Sequence, residues 1–527
     1  MTTWGIVADL NRCVGCQTCT SACKHANATA PGVQWRKVLD FETGEFPQVN
    51  RAFLPVGCMH CDTPTCMDVC PSTATQKRDD GIVTIDYDKC IGCAYCAVSC
   101  PYQARFRVDK PAAAYGGKAM RHEARREDPG RLGVAQKCTL CVERIDAGRA
   151  KGLVPGVDME ATPACVASCI SGALQMGDLD DPNSNVSTLL REKRHFRMHE
   201  ELGNGPNIYY LYDGEISDVA PPEAVPMVAD PVGLAAVSPK LQTSWDWRAA
   251  ANFTLGGTGT GLLAMAMLAA VMGTTSWLAV LLALMLVGAG LFCVWLEIGR
   301  PWRFINVLFN ARTSWMSREA FSAMPLFGFG GLAWLTGSVG LGVAAALSGL
   351  VFLYCQARIL QAAKGIPAWR QPEIVPLMVT TGLTEGAGIL ALLSLIPGTP
   401  DLIGGGLPLL LLALVLLRLG LWSRYRSAFA ANGAPTGALD IYDAMKAGLG
   451  LAPQGLVALC AAAAVIVPGA AAPALALAGL GALLTGWNFK YTLITRAAFN
   501  QGYAINRMPA RGAGKSSAGI QPGWRKA

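Results

Sequence analysis

Sixteen of the chain's 19 cysteines lie between Cys13 and Cys169, in four groups of four. The first group is Cys13, Cys16, Cys19 and Cys23. The second is Cys58, Cys61, Cys66 and Cys70, followed by Pro71. The third is Cys90, Cys93, Cys96 and Cys100, followed by Pro101. The fourth is split into Cys138, Cys141, Cys165 and Cys169. A cubane cluster takes four thiolates. In a C-x2-C-x2-C-x3-C-P run the first three hold one cluster and the fourth reaches a neighbour. The groups therefore match four [4Fe–4S] clusters. Zinc ribbons use isolated C-x2-C pairs and often histidine, which leaves the x3-spaced fourth cysteine unexplained. Disulfides need an oxidising compartment, and the stretch before Cys13 is too polar and short for a signal peptide and has no twin-arginine pair.

The 527 residues divide into unlike halves. Up to about Asp230 the chain is polar and carries all five histidines: His25, His60, His122, His195 and His199. Beyond Trp245 it is mostly Leu, Ala, Gly and Val, in runs long enough to cross a bilayer. The net charge of +7 is moderate. Much of it borders apolar runs, which suits a membrane surface and no nucleic acid. Strands are expected over Trp4–Asp9, Gly81–Asp86 and Asn207–Tyr212, with a short helix over Val186–Arg191. The insertion Pro111–Lys137, rich in Arg, Lys, Gly and Ala, reads as a solvated loop, with a docking surface for a partner as the alternative. The organisation expected is an α+β doubled ferredoxin-like iron–sulfur domain (residues 1–212), a Pro-rich linker (213–248), an all-α eight-helix transmembrane bundle with a quinone site (249–500), and a basic disordered tail (501–527).

The eight expected spans are Asn252–Gly273, Trp277–Leu296, Ala320–Thr336, Val339–Leu360, Ile374–Ile396, Leu402–Trp422, Pro453–Val467 and Pro473–Thr492. Lys240, Arg248, Arg300, Arg303, Arg312, Arg318, Arg358, Lys364, Arg370, Arg424, Arg426, Lys446, Lys490, Arg496, Arg507 and Arg511 fall on one side of this arrangement. The opposite connections, Thr274–Ser276, Gly337–Ser338, Pro397–Asp401 and Pro468–Ala472, have no Lys or Arg. Positive residues stay cytoplasmic, so a bacterial inner (cytoplasmic) membrane protein is expected, its iron–sulfur domain facing the cytoplasm.

No histidine follows His199, so axial ligands for a haem in the bundle are missing, and no haem is expected. Cys293, Cys355 and Cys460 read as small packing residues. Electrons must then reach a lipid-soluble acceptor, a quinone. Its two-electron, two-proton chemistry needs polar groups near the bilayer face. Glu297, Arg300, Arg303, Arg318 and Glu319 are the candidates there. Glu385 lies mid-helix in the fifth span and is a further candidate, because burying a carboxylate in a membrane is costly. The alternative for Glu385 is a structural contact with Arg418 or another polar group. For the arginines it is anchoring at the headgroups.

The four cysteine groups, the run Cys58-Met59-His60-Cys61-Asp62-Thr63-Pro64-Thr65-Cys66 and the run Gly177-Asp178-Leu179-Asp180-Asp181-Pro182 resemble the four-cluster subunit of complex iron–sulfur molybdoenzymes. That group includes dimethyl sulfoxide reductase, polysulfide reductase and sulfite dehydrogenase. The second half is more loosely similar to their eight-helix quinone-reactive anchor, through Leu296–Arg303, Thr313–Glu319 and Lys490–Arg496. The chain thus looks like a fusion of two subunits. The resemblance implies the ligand sets: Cys13, Cys16 and Cys19 with Cys169; Cys138, Cys141 and Cys165 with Cys23; Cys58, Cys61 and Cys66 with Cys100; Cys90, Cys93 and Cys96 with Cys70. It also implies that the first two clusters lie toward a catalytic partner and the last two toward the membrane.

The expected function is that of a non-catalytic electron-transfer and anchor component in an oxidoreductase complex, working with a separate molybdopterin-containing catalytic subunit and the quinone pool. Two departures from the dimethyl sulfoxide reductase pattern, the missing anchor histidine and the cytoplasmic orientation, favour substrate oxidation with quinone reduction. Sulfite dehydrogenase and phenylacetyl-CoA:acceptor oxidoreductase work in that sense. The alternatives are quinol oxidation of the dimethyl sulfoxide or polysulfide reductase type, a proton-translocating redox subunit, and a passive anchor whose electrons go to soluble proteins.

Overall fold

The computed structural model describes residues 2–43, 46–47, 49–115, 117–126, 128–215, 227–228, 234–396, 406–445, 451–509 and 517–526. The chain divides into two compact units. One is Met1–Lys240 with Asn500–Arg525, and the other is chiefly Leu241–Phe499.

The first unit is built on the strand Trp4–Asp9, every residue of which is buried. It pairs antiparallel with Leu174–Asp178 and parallel with Ile208–Glu215. Ile208–Glu215 pairs in turn with Lys193–Arg197. Successive side chains on a strand point to opposite faces. Trp4, Ile6 and Ala8 accordingly join the core that contains Cys13, Cys19, Cys58 and Cys138. Val7 packs on the other face with Val186 and Leu211, under the helix Asn185–Glu192. That helix starts where Ser184 accepts a hydrogen bond from the Ser187 amide, a side-chain N-cap. The remaining strands are short hairpins, among them Arg36–Thr43 with Asn50–Gly57 and Thr75–Lys77 with Val83–Ile85. The insertion expected as a loop contains the helix Arg121–Arg126.

The tail expected to be disordered is structured where it is described. Ile505–Met508 pairs antiparallel with Ser517–Pro522. Tyr503, Ile505, Met508 and Trp524 are buried. Five of the 27 residues from 501 to 527 are Lys or Arg, yet apolar residues of this segment reach the iron–sulfur core. Tyr503, Ile505 and Met508 belong to the same cluster as the cysteines. The linker, too, has structure where it is described. Met227–Val228 pairs with Gln521–Pro522, and Leu234 and Val237 are buried. Most of the rest of the proline run, the Pro397–Asp401 connection, Lys446 and Arg511 lie outside the described residues.

The second unit is helical. Among the described residues six helices are long and apolar enough to cross a membrane: Trp247–Val271, Trp277–Glu297, Val339–Ala362, Ile374–Leu393, Leu407–Ala431 and Ala471–Thr495. The segments expected as the third and seventh spans are helices as well. Trp315–Thr336 carries Arg318, Glu319 and Pro325. Leu451–Ile466 has 16 residues, about 24 Å of helix against a hydrocarbon core of about 30 Å. Small residues let the helices meet backbone to backbone. A Cβ on Gly261 would overlap the Gly382 carbonyl, and one on Gly386 would overlap Gly261. Near its start the first helix contains a π-helical turn, Asn252–Gly256, a form often found at functional sites.

Candidate functional site

In the first unit fifteen of the sixteen thiols have thiol neighbours that group them in four sets. Burial pushes the Cys19 thiol up, and Cys13 and Cys169 add to it. Burial raises Cys23 as well, helped by Cys138, Cys165 and Cys141. Cys61 rises through burial and then through Cys58, Cys66 and Cys100. Cys93 rises through burial and then through Cys96, Cys70 and Cys90. Of the sixteen, only Cys16, between Cys13 and Cys19 in sequence, is exposed.

Local backbone geometry makes this gathering possible. Gln17, His60, Ala94, Leu140 and Cys141 all have φ between 44° and 60°. That left-handed conformation costs about 1–3 kcal/mol for a non-glycine residue and concentrates at binding sites. Each of the five lies inside, or at the end of, a C-x2-C step. Amides donate to the sulfurs: Ala135 to Cys90 at 3.5 Å, Leu140 to Cys138 at 3.4 Å, and Leu174 to Cys169 at 3.4 Å. Such bonds stabilise the thiolate form.

Among the described residues no three His, Cys, Asp or Glu side chains converge closely enough to hold a single metal ion. Four thiolates around zinc would do so. Arg36 adds a second observation. It is 1% exposed, and its three guanidinium nitrogens are buried with no oxygen to bond, beside the Cys165 thiol. An arginine so placed requires negative charge beside it. Thiolate-held iron–sulfur clusters meet that requirement, so the residues present fit them.

The membrane unit holds two polar sites. The first involves Glu319, Asn252 and Gln356, all buried. Asn252 Nδ2 donates to Glu319 Oε1 at 3.2 Å, and Gln356 Nε2 donates to the Asn252 carbonyl at 3.1 Å. Asn252 Oδ1 and Gln356 Oε1 are left as buried acceptors without a donor. Glu297, also buried, accepts from the Asp246 amide at 3.4 Å, just ahead of the first helix.

The three arginines are placed otherwise. Arg318 donates to the Ala311 and Arg312 carbonyls and lies over Trp315 at 4.2 Å. Arg300 precedes, and Arg303 lies within, the segment Pro301–Asn310. That segment exposes Trp302, Phe304, Ile305 and Phe309, the pattern of an interfacial helix.

The second polar site contains Glu385. Its partner is Lys490, at 2.6 Å, with Thr258 donating to the same oxygen at 2.7 Å. Arg418, the partner considered from sequence, donates instead to the Ala482 carbonyl and Thr485.

Comparison with known proteins bears on both halves. Residues 49–120 match the family described as "4Fe-4S dicluster domain". Residues 270–417 match "DMSO reductase anchor subunit (DmsC)". A selenate reductase subunit of Mesobacillus selenatarsenatis is 42% identical over 224 residues, covering 40% of this chain and 71% of that relative. A putative dimethyl sulfoxide reductase iron-sulfur subunit of Halobacterium salinarum is 38% identical, covering 42% of this chain and 83% of its own length. The chain belongs to the dimethyl sulfoxide reductase family. It fuses an iron–sulfur subunit of that family to a membrane anchor of the DmsC type. A third relative in the family, a sulfite dehydrogenase subunit of Allochromatium vinosum, is 35% identical, covering 40% of this chain and 83% of its own.

The dicluster match takes in only the second and third cysteine groups, and the anchor match includes Glu297, Glu319, Gln356 and Glu385 but stops before Lys490. Sequence reasoning about this family member missed Arg36, Arg105, Lys137, Asn252, Gln356 and the Lys490 pairing. The signals for them were weak. Lys137 directly precedes Cys138, and Gln356 is a polar residue in an apolar run.

Proposed function

We propose that this chain is the complete electron path of a molybdopterin oxidoreductase. It would pass electrons through four [4Fe–4S] clusters between a separate catalytic subunit and a quinone bound in its own anchor. The observation that carries this reading is the grouping of fifteen of the sixteen thiols into four sets, in a chain that also supplies the apolar helices. The ligand sets are Cys13, Cys16, Cys19 and Cys169; Cys23, Cys138, Cys141 and Cys165; Cys58, Cys61, Cys66 and Cys100; and Cys70, Cys90, Cys93 and Cys96. The thiol neighbours described above support them. When bound, the clusters supply one-electron carriers. The protein's part is to bury them, donate amides to sulfur and fix their order.

The anchor is an eight-helix bundle in which Trp315–Thr336 and Leu451–Ile466 complete the six longer helices. Its lysines and arginines support a cytoplasm-facing iron–sulfur unit. The quinone site is the group Asn252, Glu319 and Gln356, with Glu297 nearby. Two buried acceptors without donors suit the two hydroxyls of a quinol, and a carboxylate can exchange the protons. Glu385 then has a structural role. The direction is substrate oxidation with quinone reduction, a reading supported by the charge distribution and by the lack of histidine after His199.

The test is metal content and spectroscopy of the purified full chain. About sixteen iron and sixteen acid-labile sulfide per chain are expected, with four cubane signals on reduction. Stoichiometric zinc would overturn the reading.

A further inference from the structure

Three basic side chains are buried among the thiol sets, and each lies where two sets meet. Arg36 opens the strand Arg36–Thr43. The thiols acting on its guanidinium are Cys165 and Cys138 of one set and Cys19 of another. Lys137 is 1% exposed, and its Nζ donates to the Val83 and Cys138 carbonyls. It adjoins the Cys138 set in sequence, and its charge also acts on Cys58 and Cys66 of the next. Arg105 is 6% exposed; Nη2 donates to Cys66 Sγ at 2.9 Å and Nη1 to Thr75 Oγ1 at 3.0 Å. It also faces Cys96 of the last set. The resulting order is the Cys13 set, Arg36, the Cys23 set, Lys137, the Cys58 set, Arg105, the Cys90 set.

Among the described residues no carboxylate forms an ion pair with any of the three cations, although the unit makes many such pairs at its surface. Burying a cation without a carboxylate costs several kcal/mol, unless the thiolate-held groups supply the negative charge. These groups become more negative by one charge when reduced. Adjacent reduced groups repel one another, and in a low-dielectric interior that repulsion is large.

We propose that Arg36, Lys137 and Arg105 are positioning residues for electron transfer, one fixed cation at each junction of the relay. Each lowers the cost of holding electrons on its two sides at once. In each transfer one electron leaves one side of a cation and arrives on the other, and no proton is required. The catalytic partner and the quinone are the terminal reductant and oxidant. Both ends exchange electrons in pairs, so a relay able to hold two electrons fits the chemistry it joins. This inference rests on the four-cluster reading.

The test is a potentiometric titration, followed by electron paramagnetic resonance, of the full chain as wild type, Arg36→Met, Lys137→Met and Arg105→Met. Each variant should lower the midpoints of two clusters by at least a tenfold loss of electron affinity, about 59 mV for one electron. Arg36→Met and Lys137→Met should share one shifted cluster. Lys137→Met and Arg105→Met should share another, and the two outer variants none. Lys137→Arg should restore the native midpoints. Full iron with unmoved midpoints, or a uniform shift of all four clusters, would overturn the proposal. So would loss of iron in both Lys137→Met and Lys137→Arg, which would assign the residue to packing. Loss of iron in Lys137→Met alone, with native behaviour in Lys137→Arg, would support the need for the charge. Wild-type protein well short of sixteen iron would instead overturn the four-cluster reading itself.

Discussion

Lys490 Nζ stands 2.6 Å from Glu385 Oε2 inside the helical unit, and both side chains are fully buried. Glycines make the room. A Cβ on Gly257 would strike the Lys490 ammonium, and one on Gly486 would strike the Glu385 carboxylate. Removing one partner of a buried pair leaves an uncompensated charge, at a cost of about 3–5 kcal/mol, whereas an apolar replacement of both is often neutral. Glu385→Leu and Lys490→Met should each lower the melting temperature of the detergent-solubilised protein, and the double variant should recover most of the loss. Additive losses would show that the two side chains do not depend on each other.

Glu319→Gln keeps the shape of the Asn252 contact and removes the titratable proton. Quinone reduction should fall by about a hundredfold with all cluster signals intact. Arg303→Ala, on the interfacial segment, should change turnover per assembled complex little. Kinetics with a short-chain quinone would compare the two. The reverse ranking would move the site to the rim.

Tyr503→Ala tests the returning C-terminal segment. Tyr503 is 2% exposed within the iron–sulfur core, and truncating a buried aromatic costs about 3–5 kcal/mol. Thermal loss of the cluster absorbance should begin at lower temperature, while the helical content of the anchor holds. An unchanged melt would mean that the segment is dispensable.

The cysteine groups were legible because metal ligation imposes spacing on sequence directly. Trp4–Asp9 was equally legible: a short apolar run before a cysteine loop can do little but fill the sheet centre. The tail was not legible. Tyr503, Ile505 and Met508 are scattered among basic and small residues, and their burial depends on a surface formed some three hundred residues earlier, around His199, whose Nε2 lies 3.0 Å from the Gly502 carbonyl. Asn252 and Gln356 were missed for a related reason. Each is an ordinary polar residue in its own helix, and only the meeting of helices gives the pair a meaning. Glu385 stood out at once, but its partner came from a lysine read as a helix-end anchor.

The distribution of charge predicts topology. A reporter active only in the cytoplasm should work after Ala527, and one active only outside should work in the connection 397–401. The opposite pattern would put the iron–sulfur unit outside the cell membrane.

The most direct test of the electron path is reoxidation of the pre-reduced full chain by quinone. Purified protein is reduced with dithionite, freed of excess reductant and mixed with a short-chain quinone while cluster absorbance is followed. The predicted result is rapid recovery, blocked by a quinone analogue and slowed in Glu319→Gln. Recovery with a soluble acceptor such as ferricyanide, and none with quinone, would contradict it and leave the helices as a passive anchor.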